Sequence, residues 1–145
     1  MALIAGGLVL GLSACSMLFG PSYRDKNSGQ VTASASINSS ALQIGDCIVN
    51  VSGLTGQVSK VAVVPCATSH EAEVFAVGKS QPNTTSALEQ YCKDAFQTYI
   101  GIAFDDSALD VTYIHSPASQ PTTDVQCIVF QEGVMVTTTY KDSQQ

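Results

Sequence analysis

Apolar residues alternate with polar ones, or cluster in short β-branched runs, over most of the chain after residue 42. Such runs, bounded by Gly, Pro, Asn and Ser, are typical of β-strands. They predict six extended segments, at residues 42–51, 57–64, 71–77, 109–115, 124–130 and 134–140. We expect the second and third to pair through the turn at 65–69. We expect a tight turn at Glu132 and Gly133 to join the last two.

One stretch, residues 86–101, has helical rather than alternating periodicity. Ser86 is a good N-cap, Glu89 follows at the spacing of a capping box, and Gly101 is a natural C-terminal stop. The apolar residues between them fall on one face: Leu88, Tyr91, Cys92, Ala95, Phe96, Tyr99 and Ile100. The pattern predicts an α+β fold, in which one amphipathic helix packs on a small antiparallel or mixed sheet of five to six strands.

The chain begins with an apolar run, and its first nineteen residues carry no charged side chain. The run "ALIAGGLVLGL" has the length of a signal peptide rather than of a membrane-spanning helix. It leads into "LSAC", the pattern of a bacterial lipobox, in which the cysteine receives a diacylglycerol. We therefore expect residues 1–14 to be a signal peptide and Cys15 to be lipidated. The alternative is a plain signal peptide followed by a chance cysteine.

The remaining four cysteines are Cys47, Cys66, Cys92 and Cys127. If Cys15 is lipidated and the chain is exported, the other four cysteines lie in an oxidising space, where cysteines pair, and four of them allow three pairings. Cys92 lies on the buried helix face, and Cys127 shares a strand face with Val125 and Val129, so it can point at the helix. We predict Cys92–Cys127 and, as a local bridge, Cys47–Cys66.

The expected domain organisation follows from a change in composition near residue 42. Residues 21–41 are rich in Ser, Ala, Asn and Thr and lack apolar periodicity. We expect residues 15–41 to be a lipidated cysteine with a flexible tether, spanning about 30 Å by the scaling for flexible linkers. Residues 42–140 are expected to form the folded domain, and 141–145 a disordered tail.

The charge pattern argues against a nucleic-acid partner. The formal net charge is −6, only 12% of the residues are charged, and the six basic residues are scattered. A nucleic-acid surface needs clustered Lys and Arg.

The segment "VVPCATSHEAEVF" places Cys66 four residues before His70. A histidine can activate a cysteine nucleophile, but pairing of an exported cysteine is the more frequent outcome. A metal site would need His70 together with Glu71, Glu73 or His115. In a strand, however, residues 70 and 73 point to opposite faces. We therefore expect no catalytic residue, no metal and no cofactor, and we expect His70 to bond to the loop after Cys66.

Several motifs stand in order after residue 44. They are "IGDC" (44–47), "VPCATSHEAEV" (64–74), "CKDAFQTYIG" (92–101), "SALDVTYIHSP" (107–117) and the last cysteine, Cys127. Together they resemble the septum formation family, a small extracytoplasmic domain of actinobacterial membrane proteins and lipoproteins. The resemblance covers residues 44–136. The chain departs from the family in "SQPTTDVQC", which lacks the usual tryptophan and Gly-Asp-Arg-like stretch, so a partner surface built there would be altered. Ser69 also replaces a proline that often precedes the histidine.

The resemblance implies a link to division septa and no enzymatic activity. We therefore expect a non-enzymatic, lipid-anchored module on the extracytoplasmic face of the cell membrane, with an envelope or division protein as its partner. His70 and Glu73 are expected to serve the fold or a contact surface. The alternatives are a lipoprotein that binds a small molecule or the cell wall, and an exported hydrolase-like enzyme that uses His70 and nearby acidic residues.

Overall fold

The structure is a computed structural model that describes residues 22–80, 82, 84–116 and 123–145. It confirms the α+β class, with one α-helix on a six-stranded antiparallel sheet. The strands are β1 (Ala35–Asn38), β2 (Cys47–Ile48), β3 (Lys60–Val64), β4 (Ala72–Ser80), β5 (Asp110–His115) and β6 (Thr123–Phe130), and the helix is α1 (Thr85–Ile100). In this part of the chain no helix is both long and apolar enough to cross a membrane.

The strands are arranged in the order β1-β3-β2-β4-β6-β5. The predicted pairing of β3 with β4 is wrong, because the two-residue strand β2 lies between them: Cys47 is opposite Val64 on one side and Glu73 on the other. The connection after β3 therefore has to cross the end of β2 instead of closing a hairpin. A strand as short as β2 has no periodicity of its own that a sequence pattern could reveal.

Two apolar clusters cover the two faces of the sheet. On one face, α1 packs through Phe96 and Ile100 against β4 and β6, and Phe75 and Phe96 meet edge to face with ring centroids 5.8 Å apart. On the other face, apolar residues of all six strands form the second cluster, and Val31, which precedes β1, packs with them. The sheet is thus buried on both sides, which explains the continuous apolar runs in its central strands.

The helix begins one residue earlier than predicted, and its N-cap is Thr84. The Thr84 hydroxyl accepts a hydrogen bond from the backbone N–H of Ala87 at 3.3 Å. The predicted Ser86–Glu89 capping box is therefore wrong, since Ser86 already lies inside the helix. The predicted stop is confirmed: Gly101 has a φ of 98°, a left-handed conformation that glycine adopts without strain.

Both predicted disulfides are present. Cys47–Cys66 joins β2 to the turn after β3, with a Cα–Cα distance of 5.2 Å. Cys92–Cys127 joins the buried face of α1 to β6, with a Cα–Cα distance of 5.4 Å. The bridges therefore fix the short strand β2 at one place and the helix at another.

The folded unit begins before Leu42, in the region expected to be a flexible tether. Strand β1 pairs with β3, and Val31 is buried in the second apolar cluster. Arg24 forms an ion pair with buried Asp46. The segment has few apolar residues, but Tyr23, Val31, Ala35 and Ile37 all join the second apolar cluster. Residues 1–21, with the expected signal peptide and lipidation site Cys15, lie outside the described residues.

The C-terminal segment also differs from the prediction. A turn does occur at Gly133, but residues 134–140 contribute only a single β-bridge, between Val136 and His70. The expected disordered tail is bonded to the end of α1: Asp142 N–H donates to Tyr99 O at 2.9 Å and Gln144 N–H to Ile100 O at 3.0 Å. The segment closes over the helix end instead of extending the sheet.

Candidate contact site around Glu73

Glu73 is a buried carboxylate held by three hydrogen bonds. It lies in β4, is 1% exposed, and points toward the end of α1 and the C-terminal segment. One carboxylate oxygen accepts from the Tyr99 hydroxyl at 2.5 Å and from the Thr139 hydroxyl at 2.6 Å. The other accepts from the backbone N–H of Tyr140 at 2.6 Å. These donors replace the water that the carboxylate loses on burial.

The same contacts affect Tyr99. Burial, together with the hydrogen bond to the negative carboxylate of Glu73, raises the pKa of the Tyr99 hydroxyl well above its ordinary value. Tyr99 therefore stays protonated and donates to Glu73 over the physiological range. This bond ties the last turn of α1 to the first half of β4.

His70 lies just before β4 and is completely buried. Its ring Nδ1 is 2.7 Å from the carbonyl oxygen of Thr68. A carbonyl only accepts, so Nδ1 carries the proton and bonds back to the loop after Cys66, as the sequence predicts. The other ring nitrogen, Nε2, has no hydrogen-bond partner among the described residues. The backbone of His70 also pairs with Val136, at N–O distances of 2.9 and 2.8 Å.

The other residues considered for chemistry are dispersed. The Glu71 side chain accepts from the backbone N–H of Val51 at 2.9 Å, so it holds a loop. His115, on β5, is opposite Val125 of β6, which in turn pairs with Gly78 near the C-terminal end of β4. His70 precedes the N-terminal end of β4, so the two histidines lie at opposite ends of the sheet. Within the described ranges, no group of three His, Cys, Asp or Glu side chains is placed to bind a metal ion. Cys66 is oxidised, so it offers no thiolate to His70.

A cleft of about 600 Å³ opens beside Glu73. The backbone around the Cys47–Cys66 disulfide forms one wall, and the C-terminal segment forms the other. Hydroxyl, amide and ammonium groups line it, from Gln30, Gln43, Thr137, Thr138 and Lys141. Such groups suit a polar partner or ligand that offers both donors and acceptors.

Beneath this cleft, Arg24 and Asp46 form a contact that the sequence did not predict. Arg24 also donates to the carbonyl of Gly29 at 2.9 Å, and Asp46 accepts from the backbone N–H of Gln43 at 2.8 Å. One signal was present: Arg24 is the chain's single arginine, and Asp46 belongs to the "IGDC" motif, which is otherwise apolar. Because Arg24 and Asp46 are far apart in the chain, no local sequence pattern indicates that they pair.

Comparison of the chain with protein-family models, with curated proteins and with solved structures finds no match.

Proposed function

We propose that the chain is a non-enzymatic, lipid-anchored module on the extracytoplasmic face of the cell membrane, with an interaction or accessory role linked to septum formation. Cys15 carries the lipid, and the folded unit binds another protein of the envelope. The observation that carries the proposal is that Cys66, His70 and Glu73, the reactive-looking part of the chain, are used for internal bonds. These residues then stabilise the fold, and other residues, on the surface of the folded unit, contact the partner protein.

The anchor and the envelope location rest on the sequence. The "LSAC" motif supports lipidation, and two disulfides suit an oxidising compartment. The link to division rests on the ordered motifs between residues 44 and 136 that resemble the septum formation family. The altered stretch before Cys127 lies partly outside the described residues, and we propose no contact there.

A second candidate function is binding of a small molecule or of cell-wall material. It is favoured by one observation, the cleft of about 600 Å³ beside Glu73, whose size and mixture of apolar and hydroxyl groups suit a small ligand. An exported hydrolase that uses His70 has less support, because a general base must reach a substrate proton and His70 is fully buried.

Crosslinking in intact cells, followed by affinity purification of the tagged chain, tests the proposal. We expect the wild-type chain in the membrane fraction, crosslinked to a discrete envelope protein. Cys15→Ala should release the chain from the membrane and weaken the crosslink. A Cys15→Ala chain that stays membrane-bound would contradict the anchor, and recovery of cell-wall fragments without a protein would favour the second candidate.

A further inference from the structure

Strand β4 has a free edge along its second half. It has nine residues, Ala72–Ser80, and pairs with β6 along its length. On its other side, β2 covers only Ala72 and Glu73, and the chain before β2 adds bonds to Val74 alone. Within the described residues, no strand pairs with this side of β4 from Ala76 to Ser80.

The hydrogen-bonding pattern shows which groups face the free edge. Ser116 N–H donates to Asp124 O at 3.0 Å, so the backbone groups of Asp124 point away from β4. The alternation along β6 then directs Thr123, Val125 and Cys127 toward β4, where they are opposite Ser80, Gly78 and Ala76. The backbone N–H and C=O groups of Val77 and Lys79 therefore point outward, along the free edge. Paired backbone groups are the rule in folded proteins, so this edge is a template for a strand.

Apolar groups flank the same edge. Two of the three large hydrophobic side chains that are exposed in the described residues lie here, Ile44 at 57% and Val77 at 38%. Between α1 and β4 runs a cleft of about 300 Å³, lined by Ile44, Val77, Tyr91, Ala95 and Thr98 among others. A strand added to β4 would place alternate side chains in this cleft.

We propose that the free edge of β4 binds an extended peptide segment of a partner protein, by strand addition, with small apolar side chains of the peptide in the cleft beside α1. The proposal deepens the proposed interaction role and rests on it. A second copy of this chain is the poorer occupant. A five-residue edge is about 17 Å long, which buries far less than the roughly 1,600 Å² of a stable protein interface, and two copies at −6 repel each other.

Amide hydrogen exchange on the full chain in detergent tests the proposal, with the synthetic peptide Lys-Val-Thr-Val-Thr-Val-Lys as the probe. In the free chain, we expect the amides of Val77 and Lys79 to exchange at least about tenfold faster than those of Gly78 and Ser80. With the peptide at about 1 mM, exchange at Val77 and Lys79 should slow at least about tenfold.

Two variants make the test specific. Lys79→Pro removes an outward-facing backbone donor and no backbone bond to β6, and an edge strand tolerates proline at such a position. It also removes the ion pair of Lys79 with Asp124, which is solvent-exposed. Val77→Lys places a charge beside the cleft, and both should abolish the slowing. Met135→Lys, at the third exposed hydrophobic residue, 51% exposed, is the matched control and should leave it intact.

Four results would overturn the inference: no slowing with the peptide, slowing that survives both edge variants, slow exchange at Val77 and Lys79 in the free monomer, or slow exchange that appears only as the chain doubles in mass. The third would place another part of this chain on the edge, and the fourth a second copy. A crosslink to an envelope protein that persists in Lys79→Pro would leave the proposed function standing and overturn only the strand addition.

Discussion

Arg24 and Asp46, 22 residues apart in the chain, form a two-fold hydrogen-bonded ion pair, with N–O distances of 2.6 and 2.5 Å. Asp46 is almost fully buried beside the Cys47–Cys66 disulfide. The guanidinium matches both carboxylate oxygens in one plane, a geometry that lysine cannot reproduce. The pair fixes the N-terminal segment over the sheet, so this segment is part of the folded unit and not a tether.

The pair predicts the effect of removing the arginine. Arg24→Ala leaves a buried carboxylate without its cation, and we expect the free energy of unfolding to fall by about 2–3 kcal/mol. Arg24→Lys should lower the free energy of unfolding by a smaller amount, because lysine keeps the positive charge but not the two-fold hydrogen bonding. Lys26→Ala, two residues away and exposed, is the control and should stay within about 0.5 kcal/mol of wild type. Urea unfolding measures all three, and an unchanged Arg24→Ala chain would show that the ion pair does not stabilise the fold.

The bond between Tyr99 and Glu73 predicts an alkaline loss of stability. The folded state holds the Tyr99 proton more tightly than the unfolded state, because its pKa is raised, first by burial and then by Glu73. The stabilisation is therefore complete below the unfolded pKa of about 10 and declines as the pH rises above it.

We expect the urea midpoint to fall between about pH 9 and 11, and to fall less steeply in Tyr99→Phe than in wild type. Tyr99→Phe also loses the hydrogen bond, so its midpoint should already be lower at pH 8. Burial also raises the pKa of Tyr140, so some slope should remain in the variant. Parallel curves for the two chains would show that Tyr99 does not cause the alkaline loss.

His70 is expected to be structural. His70→Ala removes the bond to Thr68 O and leaves a cavity beneath the C-terminal segment, which should cost roughly 1–3 kcal/mol of unfolding free energy. Adding EDTA to the wild-type chain should leave the thermal midpoint unchanged. A drop in the midpoint with EDTA would indicate a metal at His70, and an unchanged midpoint in His70→Ala would remove it from the fold.

Gly78 is predicted to be intolerant of a side chain, because Tyr91 lies directly over it. A Cβ built at Gly78 would be 2.0 Å from the Tyr91 hydroxyl oxygen. Gly78→Ala should therefore displace the ring and destabilise the chain by about 1–3 kcal/mol. Combining it with Tyr91→Ala should cost less than the sum of the two single changes, which a double-mutant cycle measures. Additive costs would show that the two residues do not meet.

The strong periodic patterns predicted the fold class, the helix, strands β3 to β6 and the Cys92–Cys127 disulfide, and the even number of cysteines and the short loop between them predicted Cys47–Cys66. Cys92 and Cys127 could be paired because each lay on a face whose direction the local period determines. Residues 42–51 were predicted to be extended, but the position of β2 between β3 and β4 could not be predicted, because a two-residue strand has no period. The role of Arg24 could not be predicted either, because an ion pair between distant residues leaves no local pattern. Residues 134–140 alternate like a strand, yet they bond to the backbone of His70 and to the Glu73 carboxylate, so tertiary contacts overrode the local preference.

The same distinction applies to the site. The sequence indicated that His70 and Glu73 serve the fold or a contact, and the contacts of His70 with Thr68 agree with its predicted bond to the loop. The donors to Glu73 come from Tyr99 and from Thr139 and Tyr140, far away in the chain. No spacing rule connects residues that meet only after the C-terminal segment has folded over α1.

We expect the segment from Cys66 to Glu73 to build the fold and not a reactive centre, because Cys66 is bonded to Cys47 and His70 to Thr68. Peptide-resolved thiol labelling of the denatured full chain, before and after reduction, tests it most directly. We predict that Cys66 is unlabelled before reduction. In the unreduced sample, the peptide that contains Cys66 should be joined to the Cys47 peptide, and the Cys92 peptide to the Cys127 peptide. A Cys66 thiol that labels without reduction would contradict this expectation. The contradiction would be strongest if labelling of the folded chain were slower in His70→Ala than in wild type.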